Sequence, residues 1–134
     1  MPLLRFYAVR ADAICVWGGA SMNQGNKKVM VLGEEYTIEY RRESEDPRLS
    51  DDCGGYTDPS VRRIVIGICE EDLDNCENQE EMRRRALRHE LVHAFAIESG
   101  LDNNSSWAMD EEMTAWVANQ APKMLDVFHR ADAI

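Results

Sequence analysis

The sequence predicts an α+β fold: a small, mostly antiparallel sheet packed on one long helix, with one or two helices after it. Three observations predict it. Residues 29–68 hold short β-rich runs separated by turn signals, residues 79–99 form an uninterrupted helical run, and helix signals continue toward the C-terminus. Strands first and helices afterwards is the order of an α+β domain, not of alternating βα units. With 134 residues, 44% of them hydrophobic, the chain can bury one core and leaves no room for two domains. Residues 29–134 are expected to form that domain, and residues 1–28 an N-terminal arm whose structure the sequence leaves open.

Each element has its own signals. Val29–Leu32 is strand-like, Gly33-Glu34 marks a turn, and Tyr36–Tyr40 alternates with β-rich residues, which together predict a hairpin. Residues 43–55 read as a polar acidic loop and Asp58-Pro59-Ser60 as a second turn. Between Arg62 and Ile68, Ile64, Ile66 and Ile68 share one face, and Arg63, Val65 and Gly67 share the other. That alternation predicts a strand with one strongly buried side. Asn78 with Glu81 three residues later has the capping-box spacing, residues 79–99 lack Pro and Gly, and Gly100 is a natural stop. The helix so bounded is about 30 Å long. Met82, Ala86, His89, His93 and Ile97 form one stripe along it, with Arg84, Arg85 and Arg88 mostly opposite. Residues 101–106 are expected to be a loop. Asp110 can cap a second helix over Glu111–Gln120, and Pro122 is expected to end it and open a third over Lys123–Ala131.

The charge balance narrows the function. Acidic residues number 25 against 15 basic, a formal charge of −10, which disfavours binding to nucleic acid or to anionic membranes. No apolar run approaches the roughly 18 residues of a spanning helix, and Arg5, Arg10 and Asp12 interrupt any signal-peptide core. A cytoplasmic location is expected. Cys15, Cys53, Cys69 and Cys76 form no C-x-x-C pair and read as free thiols.

The chemistry lies in His89-Glu90-Leu91-Val92-His93. Residues four apart stack one turn apart on a helix, so both imidazoles can bind one Zn²⁺. Glu90 is rotated by about 100° and can reach a water on that ion without ligating it. Zinc acidifies the water, and a carboxylate takes its proton and later passes it to the leaving amine. An H-E-x-x-H match arises by chance in roughly half a percent of chains this long. Here it also sits in a capped helix. A catalytic zinc needs a third protein ligand and one open position. Asp102, Asp110, Glu111, Glu112 and His129 are candidates, and Glu111 and Glu112 open the next helix, where they also suit its dipole.

H-E-L-V-H followed by Glu111-Glu112-Met113-Thr114-Ala115-Trp116-Val117-Ala118 resembles the gluzincin arrangement of H-E-x-x-H and a later E-x-x-A/S-D/N. More closely it is similar to the small zincin-like proteins of phages and prophages related to ImmA/IrrE-type metallopeptidases, in which the second segment ends near a Pro, as at Pro122. The similarity covers about residues 29–128 and is strongest over 86–122. It implies a minimal zincin-like fold, Glu111 as third ligand with Glu112 as runner-up, and a protein or peptide substrate. Thr114 and Ala115 depart from the pattern: Ala115 stands where Asp or Asn would hydrogen-bond a ligand histidine. Asp110 is a candidate to supply that contact. The resemblance also implies that the Ile64–Ile68 strand is an edge strand, able to pair with an extended peptide.

The expectation is thus a zinc metallopeptidase with ligands His89, His93 and Glu111 and general base Glu90. The alternative is a zinc-stabilised interaction protein without turnover, which the missing acid at 115 favours. Tyr56 and His129 are secondary candidates for oxyanion stabilisation, though Tyr56 reads first as a strand residue and His129 as a surface residue. Trp107 and Trp116 read as core or interface packing residues, not substrate contacts. The acidic stretches 43–52 and 70–81 suit basic substrates but read first as solvated loops.

Overall fold

The structure is a computed structural model and describes residues 4–6, 25–49, 54–68 and 78–134. The four cysteines and residues 50–53 and 69–77 lie outside the described residues, so the free-thiol expectation and parts of both acidic stretches do too. Five strands form one sheet: β1 (Leu4–Phe6), β2 (Lys27–Val31), β3 (Glu34–Arg42), β4 (Gly55–Asp58) and β5 (Arg63–Ile68). The helices follow: α1 (Gln79–Glu98), the short α2 (Leu101–Asn104), a 3₁₀ turn at Ser106–Met109, and α3 (Glu111–Arg130). The α+β class is therefore observed. Among the described residues no helix is long and apolar enough to cross a membrane.

The strand order is β1-β4-β5-β3-β2. β3 and β5 run parallel and the other neighbours antiparallel, so the sheet is mixed. The β2–β3 hairpin turns on Leu32 and Gly33, both at positive φ (49° and 88°), the backbone of a type I′ turn. The turn thus falls one residue earlier than Gly33-Glu34. Strand β1 and the start of β2 both draw on residues within 1–28.

Strand β5 is central, with β4 on one side and β3 on the other. This corrects the expectation of an edge strand with one buried side. Ile64, Val65 and Ile66 are all buried, because both faces of the sheet are covered. On one face Ile64 and Ile66 join Val31, Tyr36, Ile38 and the α1 residues Ala86 and Ala94 in the main core. On the other, Val65 packs with Tyr56 and Leu49. The loop after β3 supplies that second cover. Its Asp46 is only 3% exposed and accepts hydrogen bonds from the Tyr56 hydroxyl (2.5 Å), the Arg41 guanidinium (2.9 Å) and the Arg48 amide (3.0 Å). Part of the acidic stretch is therefore a buried anchor, not a solvated loop.

Helix α1 starts as its signals predict: the Asn78 side chain accepts from the Glu81 amide at 3.0 Å. The chain leaves it through Gly100 at φ 78°, a left-handed position that suits glycine. The expected loop over 101–106 is mostly helical: Leu101–Asn104 forms α2 and Ser106 opens the 3₁₀ turn, with only Ser105 extended between them. Pro122 does not divide the C-terminal region; α3 is continuous through it. A proline costs a helix the bond to the carbonyl four residues back, here Ala118. That carbonyl has another donor, Arg88 Nε of α1 at 2.7 Å, so it stays paired and the helix continues.

Candidate metal centre

Three elements build the site. Helix α1 carries His89, Glu90 and His93, all fully buried, because small Ala86 and Ala94 seat this part of the helix against the sheet. Strand β4 lies beside it. At Gly55 an added Cβ would meet the Val65 carbonyl oxygen at 2.7 Å and Glu90 Cγ at 3.4 Å, so glycine is what lets this strand fit between β5 and Glu90. Helix α3 brings up its first residue. Asp110 caps it through Oδ1, which accepts from the Met113 amide at 2.8 Å. Thr114 and Ala118 are the buried residues of α3; with Glu111 they lie at i, i+3 and i+7 on one face.

That phase places Glu111 on the two histidines. Glu111 Oε2 lies 2.9 Å from His89 Nε2, Glu111 Oε1 lies 3.2 Å from His93 Nε2, and the two Nε2 atoms are 3.1 Å apart. Among the described residues, His89, His93 and Glu111 form the group able to hold a metal ion, with one ligand atom from each within 4.8 Å of the others. Their spacing fits zinc. Bonds of about 2.0 Å in a tetrahedral site put neighbouring ligand atoms roughly 3.3 Å apart. The imidazoles are buried and the Glu111 carboxylate is 45% exposed, so the triangle opens to solvent on the α3 side.

The electrostatics follow from burial and proximity. Burial pushes His89 down, toward the neutral imidazole that a metal needs; Glu111 pulls it up, and His93 pushes it further down. Burial raises Glu111, but hydrogen bonds from both histidines outweigh this and hold it at about 2. Burial pushes Glu90 up to about 8, with Thr57 opposing and the negative charge of Glu111 adding. The Thr57 hydroxyl donates to Glu90 Oε2 at 2.8 Å and lies 3.1 Å from the Glu90 carbonyl oxygen. Glu90 Oε1 and His93 Nδ1 are buried with no hydrogen-bond partner among the described residues.

The remaining candidates lie outside this cluster. Glu112 is exposed on the first turn of α3, and Asp102 accepts from the Asn103 side chain. Asp110 is engaged as the helix cap. Ala115 offers no acceptor to a ligand histidine. Tyr56 is buried, with its hydroxyl on Asp46, so it is a core anchor and not an oxyanion donor. His129 is exposed on the last turn of α3, about 27 Å along the axis from Glu111. Trp107 and Trp116 are each 54% exposed, so of the two packing roles expected for them, core or interface, neither fills the core one. Sequence reasoning missed Thr57 and Gly55, since neither belongs to a motif that points at residue 90. Comparison with protein-family models, curated proteins and solved structures finds no match to this chain.

Proposed function

We propose that this protein is a zinc metallopeptidase of minimal zincin-like design. The observation that carries this reading is the triangle of His89 Nε2, His93 Nε2 and the Glu111 carboxylate, with Glu90 adjacent on the same helix turn. A bound zinc would supply an acidified water and polarise a peptide carbonyl. The residues of the chain perform the rest. Glu111 closes the ligand set from α3. Glu90 takes a proton and returns it to the leaving amine. Its raised proton affinity in the bare site suits that work, and the Thr57 hydroxyl fixes one of its oxygens. The half-exposed rim at Glu111 is the side on which a peptide can approach.

A second reading keeps the zinc and drops the turnover. Ala115 and His93 Nδ1, which has no partner among the described residues, favour it, because a ligand histidine held by no acceptor is less firmly oriented. A purely structural zinc ordinarily has four protein ligands. The cluster offers three among the described residues, and His129 is far from it. The open position favours catalysis. The decisive experiment compares the zinc-loaded chain with Glu90→Gln on a mixture of unstructured peptides. Cleavage is expected only from the former, with one zinc per chain in both. Equal cleavage by both ends the proposed role of Glu90, and zinc binding without cleavage in either selects the second reading.

A further inference from the structure

Helix α3 leaves a largely apolar stripe uncovered by the other described residues. Met113, Val117, Gln120, Met124 and Val127, with the capping Ala131, recur at alternating steps of four and three residues, the spacing of a coiled-coil seam; Val117 and Gln120 are half-buried and Gln120 is its polar member. The α1 side of α3 is the one carrying Thr114 and Ala118, 2% and 1% exposed, whereas Met113, Met124 and Val127 are 40%, 38% and 59% exposed. From Pro122 onward every residue is exposed, Leu125 and Phe128 included. Large apolar side chains exposed along one helix in this way mark an interaction site.

We propose that a second copy of this chain covers the stripe, with two α3 helices packed antiparallel. Charge selects both the occupant and the direction. Residues 113–131 carry Lys123, Asp126 and Arg130, two positive charges less one negative, or +1 in a chain of −10. This is a surface through which two acidic copies can approach without strong repulsion. The first turn of α3 is acidic and its last turn holds His129 and Arg130. Parallel packing would stack like charges at both ends. Antiparallel packing sets Met113 opposite Ala131 and Val117 opposite Val127, and brings Glu112 toward Arg130 of the second copy. It also opposes the helix dipoles favourably. The seam faces away from the histidines, so the dimer does not depend on zinc or on hydrolysis.

Sedimentation of the full chain tests the proposal. A dimer is expected at tens of micromolar protein. Val127→Glu should weaken it by at least about tenfold, while the thermal melt taken at a protein concentration low enough for the parent to be monomeric is unchanged, since this side chain is exposed in the single chain. Glu112→Arg should weaken it and the added Arg130→Glu should restore it. A chain that stays monomeric at about 0.5 mM overturns the proposal, as does a dimer indifferent to Val127→Glu. A monomer that floats with phosphatidylcholine vesicles assigns the stripe to a lipid surface and also overturns it.

Discussion

Arg88 of α1 donates through Nε to the carbonyl oxygen of Ala118 in α3, at 2.7 Å and across 30 residues of sequence. That is the carbonyl which Pro122, lacking an N–H, leaves without its helical donor. The contact ties α3 to α1 near the His89–His93–Glu111 cluster and lets one continuous helix carry both Glu111 and the exposed C-terminal turns.

Arg88→Met should therefore cost about 1–3 kcal/mol, the range for a carbonyl left unpaired in a partly buried place. In a Pro122→Ala background, residue 122 regains its N–H and the cost should fall below about 1 kcal/mol. Urea unfolding of the four chains measures the coupling. Strictly additive costs would mean that the guanidinium does not replace the proline's missing donor.

Acid should destabilise the fold through Asp46. Burial raises this carboxyl, but the Tyr56 hydroxyl, the Arg48 amide and the Arg41 and Arg48 side chains together hold it at about 2, below its ordinary 3.8. A group with a depressed folded value stabilises above its unfolded value and loses that stability as pH falls through the folded one. The contribution, roughly 2 kcal/mol, should be intact above about pH 5 and disappear between about pH 4 and 2. Glu98, lowered by Arg62 and Tyr36 against the opposing effect of burial, works in the same direction. Urea titrations at pH 7, 4 and 3 should show Asp46→Asn less stable than the parent at pH 7 and the gap closing toward pH 3. A gap independent of pH would place the role of Asp46 elsewhere.

What the sequence made legible was local. The start of α1 was readable because Asn78 and Glu81 are three residues apart, and the convergence of His89 with His93 because they are one turn apart. Glu111 was one of five candidates by composition, placed ahead of Glu112 by the resemblance alone; the packing phase of α3, with Thr114 and Ala118 turned inward, is what brings it to the histidines. Thr57 reaches Glu90 across 33 residues and Arg88 reaches Ala118 across 30, and no spacing rule encodes such meetings. Pro122 misled for the same reason: a helix needs its carbonyl paired, not paired by its own backbone. The alternation over 62–68 suggested one buried face, yet Ile64-Val65-Ile66 is also the unbroken apolar run of a central strand.

Zinc should stabilise the fold, and this can be measured without any substrate. The three ligand atoms come from two helices 22 residues apart at His89 and Glu111, and unfolding separates them. An ion that binds only the folded chain adds RT ln(1 + [L]/Kd), about 2.7 kcal/mol at a hundredfold excess over Kd. For a chain of this length that is a rise in melting temperature of roughly 10 °C over the EDTA-treated protein. His93→Ala and Glu111→Ala should each abolish most of the rise, because two ligands hold zinc weakly. Glu90→Gln should retain it, since Glu90 is not among the three residues grouped to hold an ion. A parent chain whose melt is the same in zinc and in EDTA removes the metal centre, whereas loss of the shift in Glu90→Gln reassigns Glu90 as a ligand.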